Sequence, residues 1–235
     1  MGSGGQPGEI AAAIEAVAAR MEAIGAALPE SDGVARFNEL YLAVTRAVAR
    51  EVRADTYEDP VFIARLDVVF ADLYFAAVDD DAAGGPVSPA WAPLFERRHA
   101  TGVAPLQFAI AGMNAHINHD LAIALVATSK ELGTRLDRGT AQHRDYRVVD
   151  GILLRVQDEI KERFTTGVVA QADKAFGRHD DVVANWSVER ARDNAWTQAQ
   201  TLAAIGDKPF LREQFLLALA RTVGFAGRGL LVRTS

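Results

Sequence analysis

Gly112-Met113-Asn114-Ala115-His116-Ile117-Asn118-His119-Asp120 places two histidines, two asparagines and an aspartate inside a segment, Pro105 to Val126, that is otherwise apolar. A segment apolar on nearly every side is expected to be a helix through the middle of a bundle. Polar side chains buried there cost free energy unless they are paired or coordinated. His116 and Asp120 stand four residues apart, so on a helix they share one face at roughly 6 Å. One helix offers a nitrogen and an oxygen to a metal ion by this spacing, and a metal-centred site is the leading expectation. A hydrogen-bonded polar network is the alternative. His119 falls off that face and is expected toward solvent.

Outward from this segment the chain reads as helices throughout, because apolar residues recur at three- and four-residue spacing and strand-like alternation is nearly absent. A first helix is expected over Glu9 to Leu28, ending near Pro29. A second runs from Gly33 to Arg53 with Phe37, Leu40, Tyr41, Val44 and Val48 as its stripe. Asp59-Pro60 opens a third, Asp as cap and Pro in the first turn, ending near Asp79. Asp79 to Pro89 reads as a loop, and Ser88-Pro89 opens a short helix carrying Trp91, Leu94 and Phe95. The central helix spans Pro105 to about Leu132. After a loop from Gly133 to Gln142, helices are expected over His143 to Ala172, Asp180 to Ala204 and Pro209 to about Gly224. Residues 1–8 read as a disordered leader, and 9–235 as a single all-α domain of about seven or eight helices.

Composition narrows the function. At 235 residues the chain can bury roughly 70% of its unfolded surface around one core. Its net charge of −6, with no basic cluster, argues against binding nucleic acid or an anionic membrane surface. It has no cysteine, which excludes disulfides, thiolate metal sites and cysteine nucleophiles. Any metal must be held by histidine and carboxylate, a donor set suited to zinc, iron or manganese. No apolar run is long enough to span a bilayer and the N-terminus lacks a signal-peptide pattern, so a cytoplasmic protein is expected.

Four places put ionisable residues on faces expected to be buried: Asp67, the His116–Asp120 pair, His143 with Asp145 and Tyr146, and His179-Asp180-Asp181. Each has a plainer reading. Asp67 fits the solvent edge of an amphipathic helix, His143 fits a surface position, and His179-Asp180-Asp181 fits a helix N-terminus. The sequence has no H-E-x-x-H, no phosphate-binding glycine loop and no G-x-S-x-G. Its single Glu-x-x-His, Glu96 to His99, falls short of the two copies plus two glutamates of a ferritin-like bundle, so that fold is not expected.

Phe37-Asn38-Glu39-Leu40-Tyr41-Leu42-Ala43-Val44-Thr45, Arg65 to Phe75, Gly112 to Asn118, His143-Arg144-Asp145-Tyr146 and Ala191 to Trp196 together resemble a bacterial family catalogued as a domain of unknown function. The resemblance spans about residues 10 to 225, and Met113-Asn114-Ala115-His116-Ile117-Asn118 is its most specific part. The resemblance implies a non-haem diiron monooxygenase, of a type acting in diterpenoid biosynthesis, on a helical fold unlike ferritin. Asp67, His116, Asp120, His143 and Asp145 are then the ligand candidates for iron, two ions by this reading. Tyr74, Asn114, Asp150 and Arg192 are the expected partners of the ligands or the substrate. Asp150 stands where the family pattern has an asparagine, which leaves the shared reaction open. An oxygenase of this kind hydroxylates a small apolar molecule between walls such as Phe70, Tyr74, Met113 and Ile117, and it needs an external electron donor. A zinc- or manganese-dependent hydrolase and a non-catalytic protein with a buried His/Asp/Asn network are the alternatives.

Overall fold

Asp32 accepts a hydrogen bond from the Val34 N–H (2.8 Å) and starts α2 (Gly33–Arg53). Asp59 does the same for α3 (Pro60–Ala82) through the Phe62 N–H (3.0 Å), with Pro60 in the first turn. Both caps satisfy N–H groups that a helix start leaves free. The computed structural model describes residues 7–54, 56–166 and 187–233, and every regular element among them is helical. α1 (Pro7–Ala27) precedes these two, and α4 (Ala92–Arg97) follows. Then come α5 (Pro105–Ala115), a π-helical turn (His116–Asp120) and α6 (Leu121–Leu132), which form one unbroken rod. The chain continues through α7 (Ala141–Thr166), α8 (Val188–Ile205) and α9 (Pro209–Leu230).

The expected central helix is therefore present, and it is central: α2, α3, α4, α7, α8 and α9 all pack against the rod. One continuous core runs from Ile14 on α1 to Leu231 after α9. At one close crossing α2 meets α5. A Cβ at Gly33 would overlap the Phe108 ring, and a Cβ at Gly112 would overlap Phe37. Residues 33 and 37 thus meet 108 and 112 in the same order, so the two helices run parallel, each glycine receiving the other helix's phenylalanine.

Four boundaries differ from the sequence reading, the first being that Ser88-Pro89 forms a turn and the short helix it was expected to open starts at Ala92. α3 runs on to Ala82 because its acidic tail is held: Asp79 accepts from Arg20 (2.5 Å) and Asp81 from Arg98 (2.6 Å). α9 continues through Gly224, which reads as a stop signal, to Leu230. Gly224 is instead a point of close approach, where a Cβ would strike the Pro89 carbonyl. At the N-terminus, Pro7 and Gly8 already belong to α1, while residues 1–6 of the expected leader lie outside the described residues. So do the expected end of the sixth helix at Ala172, the expected start of the seventh at Asp180 and the His179-Asp180-Asp181 cluster.

Candidate functional site

The polar centre of the rod is built on Asp120. Its carboxylate accepts the Trp91 Nε1–H (2.9 Å) on Oδ2, shares that oxygen with His116 Nδ1 (3.0 Å), and holds His119 Nδ1 (2.6 Å) on Oδ1. A buried carboxylate has no donor of its own, so both imidazoles carry their proton on Nδ1 and donate it. Burial pushes the Asp120 carboxyl up, but the hydrogen bonds and charges of His116 and His119 outweigh this and leave it below its ordinary range. Burial also lowers His116 despite Asp120, so its imidazole is neutral at pH 7 and Nε2 is a bare acceptor.

The π turn makes this arrangement. Its Leu121 N–H bonds the His116 carbonyl, five residues back, which widens the rod locally and re-aims the side chains that follow. Such single turns inside α-helices recur at functional sites. His119, expected toward solvent, is buried and bonded to Asp120, because apolar periodicity carries no signal for the extra residue in the turn.

Aromatic rings fix His116 from the other sides. Phe70 on α3 stacks face to face on it, with centroids 3.5 Å apart, and Tyr41 on α2 meets it edge-on at 4.6 Å. His116 Nε2 has no hydrogen-bond partner among the described residues, nor do Tyr41 Oη and Asp67 Oδ2. All three residues line one cavity of about 70 Å³, whose remaining wall is almost wholly apolar, with Phe70, Met113 and Ile117 among it and Arg192 as the one cation among the described lining residues. Asp67 is half-buried as a residue, yet its Oδ2 has no solvent contact. Burial pushes its carboxyl up to about 7.

The other expected site residues lie elsewhere. Asp145 accepts the N–H groups of Glu58 (2.9 Å) and Asp59 (2.6 Å), which latches α7 onto the start of α3 and occupies both of its oxygens. His143 sits in the first turn of α7, its Nδ1 accepting the Gly139 N–H (3.3 Å) and its ring edge-on to Trp196. Neither lines the cavity. Among the described residues no three His, Asp or Glu side chains converge as a metal-holding group. Tyr74 does not face the cavity either; its hydroxyl donates to Asn38 Oδ1 (3.2 Å). Asn114 ties the rod to α9 by donating to the Val223 carbonyl (3.0 Å) and accepts from Asn118 (3.2 Å). Asp150 accepts from Arg192 Nε (2.6 Å). His99 of the lone Glu-x-x-His is exposed.

Trp91 and Tyr41 are the site residues that sequence reading assigns only to packing. Their signal was weak: each is an aromatic at a core position, and only the polar tip distinguishes it.

The model of one family, described as "Family of unknown function (DUF5995)", matches residues 14–233. No curated protein and no solved structure matches the chain.

Proposed function

Since the chain belongs to DUF5995, a family of unknown function, we propose from its cavity alone that it is an enzyme moving protons on a small, mostly apolar molecule. The observation that carries this reading is the meeting of three buried, unpartnered polar atoms, His116 Nε2, Asp67 Oδ2 and Tyr41 Oη, among residues lining one apolar cavity. Leaving such atoms unpaired costs about 1–3 kcal/mol each, and a ligand that pairs with them recovers it. His116 has the state a general base needs, with Nδ1–H on a carboxylate and Nε2 open, and Asp120 stabilises the imidazolium that forms. Asp67 is the matching acid, since a carboxyl raised to about 7 still carries its proton over much of the neutral range. In this scheme His116 Nε2 takes a proton from an acidified C–H of the bound molecule. Asp67 gives one to the atom where charge collects, and Asp67 is recharged from the His116 imidazolium through solvent.

The test uses small apolar ketones and β,γ-unsaturated acids in D₂O, with loss of the proton signal next to the carbonyl followed by NMR. The wild type is expected to exchange at least one of them, and His116→Gln and Asp67→Asn to slow that exchange about 100-fold or more. Equal rates in wild type and both variants overturn the reading.

The iron-dependent oxygenase, with its apolar substrate and external electron donor, is the competing proposal. The free lone pair of His116 with Asp120 behind it is the arrangement that metal-bound histidines adopt. The five-ligand set does not fit, however: Asp67 and His116 line the cavity, Asp120 stands behind His116, and Asp145 and His143 are engaged away from it. The described residues therefore offer two donors at the cavity, one fewer than the three protein ligands of an open catalytic zinc site.

A further inference from the structure

Arg192 is the one charged donor among the described residues lining the cavity, and it is held from three sides. Its Nε donates to Asp150 Oδ1 (2.6 Å), its Nη2 donates to the Tyr146 carbonyl (2.7 Å), and its guanidinium lies 3.9 Å over the Tyr146 ring. The Tyr146 hydroxyl closes the loop by donating to the Arg192 carbonyl (2.7 Å). The residue is 4% exposed, so most of the guanidinium is out of water and it is fixed in direction. Nη1 is left over: it donates to no atom of the described residues, in a residue that lines the cavity.

Local charge points the same way. Asp150 is shared, because Arg147 Nη1 stands 3.0 Å from its other oxygen. Two guanidiniums thus face one carboxylate, so Asp150 is not given over to Arg192 alone. Asp145, the next carboxylate along α7, spends both oxygens on backbone N–H groups. A buried guanidinium with an unused N–H pair is well suited to a planar, two-oxygen anion.

We propose that the cavity takes a carboxylic acid with an apolar body, its carboxylate on Arg192 Nη1 and its chain along the apolar wall. This rests on the reading of the cavity as a small-molecule site and names the substrate class. It makes Arg192 a specificity-determining residue, separate from the His116 and Asp67 groups that would act on the chain. Asp150 and the Tyr146 carbonyl are then positioning groups that hold the guanidinium at the cavity edge.

The experiment is calorimetric titration of the full chain at pH 6, where Asp67 keeps its proton and a carboxylic acid is ionised, with two small probes of equal length, propanoic acid and 1-propanol. A charge-assisted hydrogen bond in a desolvated site favours the acid by about tenfold or more in Kd, and this ratio is read on the wild type without any substitution. The double variant Arg192→Gln/Asp150→Asn removes both buried charges together. It is expected to bring the acid-to-alcohol ratio within about twofold of one while leaving the affinity for 1-propanol unchanged. Equal wild-type affinities, or an acid preference that survives in the double variant, overturn the role of Arg192 and leave the cavity reading standing. Failure of the wild type to bind either probe overturns both.

Discussion

Asp67 shows most directly how a functional group sets itself against stability. Its carboxyl titrates near 7 in the folded chain because burial disfavours the charge, whereas an unfolded aspartate titrates near 3.9. Between those values the folded state binds more protons than the unfolded one, so stability falls as pH rises through this window and levels off above it. Asp67→Asn removes the penalty. The variant is expected to match the wild type near pH 4 and to exceed it above pH 7 by at most about 4 kcal/mol, as read by denaturant unfolding at both pH values. Asp120 behaves in the opposite sense. Asp120→Ala strands the N–H donors of His116, His119 and Trp91 and is expected to cost about 3 kcal/mol or more at pH 7. His116→Ala strands no donor of its own and is expected to cost clearly less in the same assay. The residues themselves were legible in the sequence as a polar cluster. Their roles were not, because what separates Asp67 from Asp145 is whether the oxygens already have partners, and those partners lie on other helices.

The rod from Pro105 to Leu132 crosses α2 at two glycines. Gly33 and Gly112 each accept a phenylalanine where a Cβ would overlap the ring, so each ring packs directly on the other helix's backbone. Gly112→Ala is expected to destabilise by about 1–3 kcal/mol through overpacking. Gly151→Ala serves as the contrast, since on α7 a Cβ would meet only the flexible end of Arg155 at 3.7 Å. That substitution is expected to stabilise by roughly 0.5–1 kcal/mol, in line with the difference between glycine and alanine inside a helix. Thermal unfolding of both variants checks the pair. The helix starts at Asp59-Pro60 and Pro209 were marked in the sequence, because caps and prolines act within a turn of themselves, whereas Ser88-Pro89 carries the same signal and forms only a turn before Ala92. The end of α9 was not, since Gly224 signals a stop locally and a close contact with Pro89 globally. The π turn was equally hidden: one extra backbone residue per turn leaves no trace in the spacing of apolar side chains.

For the molecule as a whole, the proton-transfer and oxygenase readings differ in what holds the site together. Under the first, protein purified without added metal is expected to carry well under one equivalent of iron, and its melting temperature is expected not to move in EDTA. One to two equivalents of tightly held iron, or a fall in melting temperature on chelation, would favour the oxygenase. Among the described residues no helix is long and apolar enough to cross a membrane. The sequence by itself determined the all-helical class, the central place of the Pro105–Leu132 rod and the polar cluster within it, because periodicity and composition act over neighbouring residues. Only the tertiary structure decided which ionisable groups share a cavity. His116 and Asp67 meet there with Tyr41 and Arg192 from the π turn, α3, α2 and α8, whereas Asp145 and His143 are drawn off to the start of α3 and to Trp196. Convergence of this kind depends on the register in which four helices pack, and that register is a property of the assembled core.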